Sequence, residues 1–177
     1  KTLLCARIIP YRGAWLEFEY DLTDYLWVIV DRRSKLLATT FLKCFGISEP
    51  AEILKLFYNV ETVTFKRTRV LIEKKSCAPE DLEGRYLAED AIDPETGEVL
   101  AEAGEELAPH IIGRIMASTV QEIFIIAAQD LVQDPSILVT LQQDKSVTED
   151  DALREYYSRS RPGDPATAAT CRTFFQR

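Results

Sequence analysis

The chain has 177 residues, 46% of them apolar, which is enough to bury a sizeable core in one domain or in two small ones. Its formal net charge of −8 argues against a free-standing DNA-binding protein, because non-specific affinity for nucleic acid comes from neutralising phosphates. Four widely spaced cysteines (Cys5, Cys44, Cys77 and Cys171) and a single histidine, His110, leave no ligand set for zinc or an iron–sulfur cluster and no Cys–His or Ser–His pair for nucleophilic catalysis; reduced structural thiols are expected.

Residues 7–35 carry the most chemistry per residue. A β-branched run over 5–9 predicts a strand, and 10–13 supplies turn chemistry through Pro10 and Gly13. Residues 15–20 then alternate Trp15, Glu17 and Glu19 against Leu16, Phe18 and Tyr20, so one face is apolar and the other mainly acidic. Trp15 shares the acidic face, with Arg12 three residues upstream, where an indole can offer its π-face to an arriving group. After a polar turn at 21–24, the continuous apolar run 25–30 predicts a strand buried on both faces, ending abruptly in Asp31-Arg32-Arg33-Ser34-Lys35. A helix is predicted over 35–45, carrying Leu36, Leu37, Thr40, Phe41 and Phe45 and stopping at Gly46. A second follows, capped by Ser48, with Pro50 in its first turn and a buried stripe of Ile53, Leu54, Phe57 and Tyr58.

From 59 the text changes. Residues 62–65 and 69–72 predict a hairpin with a basic tip at 66–68, and 77–83 reads as a linker. Residues 84–126 read as one compact module: a strand over 86–92, a turn over 93–97, a return strand from 99, a short helix over 109–116 and a strand over 123–126. The acids Asp90, Asp93, Glu95 and Glu98 do not have the spacing of a calcium-binding EF-hand loop. Beyond 134, Asp134 and Pro135 start a helix through about 141. Thr148 caps another, with Asp151 in capping-box position, that runs to the break at 161–165; Thr167 caps the last through 175. Charge is divided unevenly: residues 1–58 carry 8 basic and 7 acidic side chains, 59–133 carry 7 and 15, and 134–177 carry 6 and 7. The middle holds the acidic excess and is expected to face away from nucleic acid or to meet a basic protein.

ARIIPYRGAWLEFEYD at 6–21, followed by VDRRSKLLATTFL at 30–42, resembles the lobe (domain 2) of the β subunit of bacterial DNA-directed RNA polymerase, which reads ARIIPYRGSWLDFEFD and then IDRRRKLPAT. RPGDP at 161–165 is similar to the family's RPGEPPT. The resemblance implies an α+β fold: a discontinuous lobe of sheet and helices, 1–58 and 134–177, interrupted by a small β-rich acidic insertion at 59–133. In the family the Trp stacks on an unpaired base of the non-template strand, and the Asp-Arg lines a pocket for a neighbouring guanine. By position these are Trp15, Asp31 and Arg32, with Arg33 and Arg12 as phosphate or supporting contacts. Stacking tolerates any base, and a carboxylate can select guanine's donor edge.

The resemblance further implies a cytoplasmic fragment of a nucleotidyltransferase that itself holds no catalytic residue, cofactor or metal, the magnesium of the whole polymerase being held by another subunit. Expected partners are the non-template strand and downstream duplex, the other polymerase subunits and sigma factor, and a transcription factor docked on the acidic insertion; no membrane is expected. Ile29 and Ser34 stand where the family has basic residues, so less positive charge is brought to DNA, and Leu37 replaces a proline, which would let the following helix start early.

Overall fold

The computed structural model describes residues 4–66, 69–73 and 75–176; part of the predicted hairpin tip, Arg67 and Thr68, lies outside them. The fold is α+β, with antiparallel sheets and short helices. It divides into two compact units, Lys1–Glu49 with Ser136–Arg177, and Pro50–Pro135. No helix among the described residues is long and apolar enough to cross a membrane.

The first unit opens with a four-stranded meander, β1 (Cys5–Ile8), β2 (Leu16–Tyr20), β3 (Leu26–Val30) and β4 (Ser34–Leu37), paired in that order. Leu16 and Phe18 of β2 pack with the buried Val28 and Val30 of β3 and Leu36 of β4, so the alternation of β2 does place its apolar side on the core. β3 departs from expectation. Val28 and Val30 are buried, but Trp27 and Ile29 are only half-buried. The outer face that carries these two also carries Glu17, Glu19 and Lys35, and the Lys35 ammonium lies 4.9 Å from the Trp27 ring centroid. A run of apolar residues thus hid an alternating strand whose outer face is covered by long charged side chains.

The helix expected over 35–45 is corrected as well. Ser34–Leu37 is β4, and the helix α1 begins only at Ala38 and ends at Lys43. Leu37 did not extend it upstream, because pairing Trp27 with Leu37 and Val28 with Leu36 buries both leucines in a way a helical turn would not. Gly46, at φ 87°, follows the helix as the expected stop. From the far end of the chain come α5 (Ser136–Gln143), α6 (Glu149–Ser160) and α7 (Ala168–Phe175). The Thr148 hydroxyl accepts from the Asp151 N–H at 3.2 Å while the Asp151 carboxylate accepts from the Thr148 N–H at 3.1 Å, so the capping box forms with Asp for Glu. Phe41, Phe45, Tyr156, Phe174 and Phe175 meet ring to ring where α1, α6 and α7 pack. Burial, with Glu155, Asp144 and Glu149 nearby, pushes the Cys44 thiol up to about 12, which makes it an inert core group.

The second unit begins with α2 (Pro50–Phe57), in which Ile53 and Leu54 are buried but Phe57 is 49% exposed. β5 (Val60–Lys66), β6 (Arg69–Ile72), β7 (Lys75–Cys77) and β10 (Glu122–Ile126) form a sheet in the order β10-β5-β6-β7. The stretch 77–83 is no linker: Pro79–Leu82 is a 3-10 helix whose Leu82 is fully buried. The strand expected over 86–92 is broken into isolated bridges at Tyr86 and Leu87 and a two-residue β8 (Ala91–Ile92), paired with β9 (Val99–Ala101). α3 (Pro109–Ala117) follows as predicted, with His110 exposed, and α4 (Ala128–Gln133) is a helix the sequence did not announce. Hairpin and module share one core, since Val63 and Val70 pack in the same cluster as Leu87, Leu107, Ile115 and Ile125. Asp93, one of the acids weighed for calcium, accepts from the Thr119 hydroxyl at 2.7 Å and the Glu95 N–H at 2.9 Å. These bonds hold its carboxyl below the ordinary range and tie the turn to the loop after α3.

Candidate nucleic-acid interface

Trp15 immediately precedes β2, and Asp31, Arg32 and Arg33 link β3 to β4, so pairing Leu16 with Val30 brings the two loops side by side. The lock between them is a double one. The Asp31 N–H donates to the Trp15 carbonyl at 2.9 Å, and the Trp15 N–H donates to Asp31 Oδ1 at 2.8 Å. Asp31 therefore does structural work before any ligand arrives, which leaves Oδ2 as its oxygen for an incoming donor. The loop is tight: Asp31 and Arg32 both adopt positive φ, 48° and 57°, and the Arg33 N–H closes onto the Val30 carbonyl at 3.0 Å. Asp tolerates this region. Arg does so at a cost on the order of 1–2 kcal/mol, which the surrounding sheet must offset.

That backbone aims the side chains. The Arg32 guanidinium lies 5.0 Å from the Trp15 ring centroid, and its Nε is 3.7 Å from Glu17 Oε1, while Arg7 pairs with Glu17 Oε2 at 2.9 Å. A chain Arg7, Glu17, Arg32, Trp15 thus runs across the outer face of the sheet, and one face of the indole is occupied by a cation. Trp15, Asp31, Arg32 and Arg33 together line an open concavity of about 450 Å³. Arg12 is exposed on the preceding loop and is not among the lining residues; the arginine at the indole is Arg32. Sequence reading overlooked Glu17 as the group that orients Arg32, although its place on the acidic face of β2 was the available signal.

A second cluster stiffens the same face. Asp21 accepts from the Trp27 indole N–H at 2.9 Å and from the Thr23 hydroxyl at 2.6 Å, and Lys35 pairs with Glu19 at 2.6 Å. Partial burial opposes ionisation of Asp21, but hydrogen bonds from Thr23, Trp27 and the Tyr25 and Thr23 backbone outweigh it and bring the carboxyl down to about 2. Among the described residues no group of three or more His, Cys, Asp and Glu side chains is placed to hold a metal ion.

Residues 2–133 match the family model of RNA polymerase Rpb2, domain 2, and the chain belongs to that family. Similar curated proteins are DNA-directed RNA polymerase β subunits: that of Sorangium cellulosum is 34% identical over 219 aligned positions, that of Solidesulfovibrio magneticus 34% over 220, and that of Chlamydia trachomatis 34% over 179. Each alignment takes in 99% of this chain, which spans only 14–16% of the relatives' length. The longer alignments open gaps against a 177-residue chain that the Chlamydia alignment hardly needs, so family members differ in how much they insert within this region.

Proposed function

We propose that this chain is the lobe portion of a cytoplasmic DNA-directed RNA polymerase β subunit and that the Trp15 concavity receives the unpaired non-template strand next to the downstream duplex. Trp15 stacks a base, Asp31 and Arg32 line a pocket for a neighbouring guanine whose donor edge Asp31 Oδ2 accepts from, and Arg33 and Arg12 are phosphate or supporting contacts. Nucleotidyl transfer belongs to the complete polymerase, in which other subunits, sigma factor and magnesium take part, and this domain contributes position to it. The observation that carries the reading is the convergence of Trp15, Asp31, Arg32 and Arg33 on one exposed concavity, with the Trp15 backbone locked by Asp31. Trp15→Ala in the assembled polymerase is expected to shorten open-complex lifetime by the loss of one stacked base, about 1–3 kcal/mol or roughly 5- to 150-fold. An unchanged lifetime and unchanged pausing would rule the stacking role out.

A further inference from the structure

The second unit carries 8 basic and 17 acidic residues, and the basic ones are unevenly spread along its sequence. Lys55, Arg85 and Arg114 are each spent on an acid of the same unit, Glu89 at 2.6 Å, Glu61 at 2.5 Å and Glu98 at 3.0 Å. The other five basic residues all fall between 66 and 75 in the sequence. Of these, Lys66 and Arg69 stand directly opposite one another in the β5–β6 ladder, both exposed and neither ion-paired among the described residues. Like charges at facing positions of an antiparallel pair repel, so the hairpin would be more stable with an acid at either place.

These two cations line a concavity of about 650 Å³ together with Phe65, Val70, Met116 and Val120 and the polar Ser76 and Ser118. Of these, Val70 and Val120 are buried, Phe65 is half-buried, and Met116 is 50% exposed. A thioether there can adapt to different incoming side chains. We propose that this concavity is a docking site for a short acidic and apolar peptide segment of a partner protein, one or two apolar side chains entering over Met116 while flanking carboxylates meet Lys66 and Arg69. Charge complementarity selects this occupant. A nucleic-acid backbone would bring its phosphates along a unit with 17 acids, whereas a peptide presents a few carboxylates only where the two cations stand. The proposal is independent of the Trp15 site.

The test is a selection of random dodecapeptides displayed on phage against the 177-residue chain, followed by anisotropy titration of the selected peptides and of a twelve-nucleotide oligothymidine. Expected is enrichment of peptides combining Asp or Glu with Leu, Phe or Met, whose affinity falls at least tenfold in Lys66→Glu and in Met116→Asp. Lys66→Glu converts the facing pair into an attractive one, so its thermal midpoint should rise while binding is lost, which separates docking from folding. No enrichment of acidic-apolar peptides, enrichment that survives Lys66→Glu, or oligothymidine binding that depends on Lys66 but not on Met116 would each overturn the proposal.

Discussion

Seven of the eight buried polar side chains among the described residues, Ser34, Thr39, Thr40, Lys43, Ser136, Thr140 and Ser146, lie in the first unit, and only Asp93 lies in the second. The second unit has instead a large apolar cluster drawn from one continuous stretch of chain. The difference follows from connectivity. The first unit is assembled from two segments far apart in sequence, and apolar burial alone, being non-directional, does not specify how they register. Directional bonds do: the Leu26 N–H donates to Thr140 Oγ1 at 2.9 Å, the Thr39 hydroxyl to Asp144 at 2.8 Å, and Arg159 to the Lys35 carbonyl at 2.7 Å. Ser34 and Ser160 share a hydroxyl bond at 2.6 Å. At the centre Lys43, almost wholly buried, pairs with Asp144 at 3.0 Å and donates to the Ser146 carbonyl. Burial works against the Asp144 carboxylate, but hydrogen bonds from Ser146, Thr39 and Lys43 hold its pKa below the ordinary value. We attribute the register of the two segments to this polar seam.

Both tryptophans, Trp15 and Trp27, belong to the first unit, so indole emission reports on it alone, whereas far-ultraviolet circular dichroism reports on both. The sharpest break of the comparison is Asp144→Ala, which leaves the Lys43 ammonium buried without its counter-ion. It should destabilise the first unit by about 3–5 kcal/mol, seen as an early loss of native indole emission in urea. A shift below about 1 kcal/mol would mean that the seam does not hold the two segments. Leu87→Ala, at a fully buried position of the other cluster, should cost about 2–5 kcal/mol in the dichroism transition while the emission transition keeps its midpoint. Equal shifts in both probes would show that the units unfold as one. The smallest effect sharpens the first unit only. The Asp21 carboxyl sits at about 2 when folded against an ordinary 3.8, so its contribution is complete above about pH 4 and is lost as pH falls toward 2. Indole emission should change over that window through the Trp27 bond to Asp21, and Asp21→Asn should flatten the change.

The elements legible from sequence were those with local causes. β1, β2, the stop at Gly46, the capping box of α6, the Pro109 start of α3 and the cap of α7 all follow from alternation, turn residues or caps a few residues apart. The elements misread were those whose partners lie elsewhere in the chain. β4 looked helical because Leu36, Leu37, Thr40 and Phe41 have helical spacing, and only its pairing with β3 makes Ser34–Leu37 a strand. The stretch at 77–83 looked like a linker because its single apolar anchor, Leu82, is recognisable only once the sheet and α3 have formed a pocket for it. In the candidate site, the identities of Trp15, Asp31, Arg32 and Arg33 were readable from the sequence, and their convergence was not. It depends on the Leu16–Val30 register and on two consecutive residues at positive φ that contain no glycine to announce them. Sequence by itself determined the family, the α+β class, the locally capped helices and the charge each segment carries, since these reside in residue order and short-range chemistry. Tertiary structure alone decided which arginine faces the indole, that Asp31 locks the Trp15 backbone, and that Lys66 and Arg69 confront each other and line one concavity with Phe65 and Met116, since these depend on which strands meet and in what register.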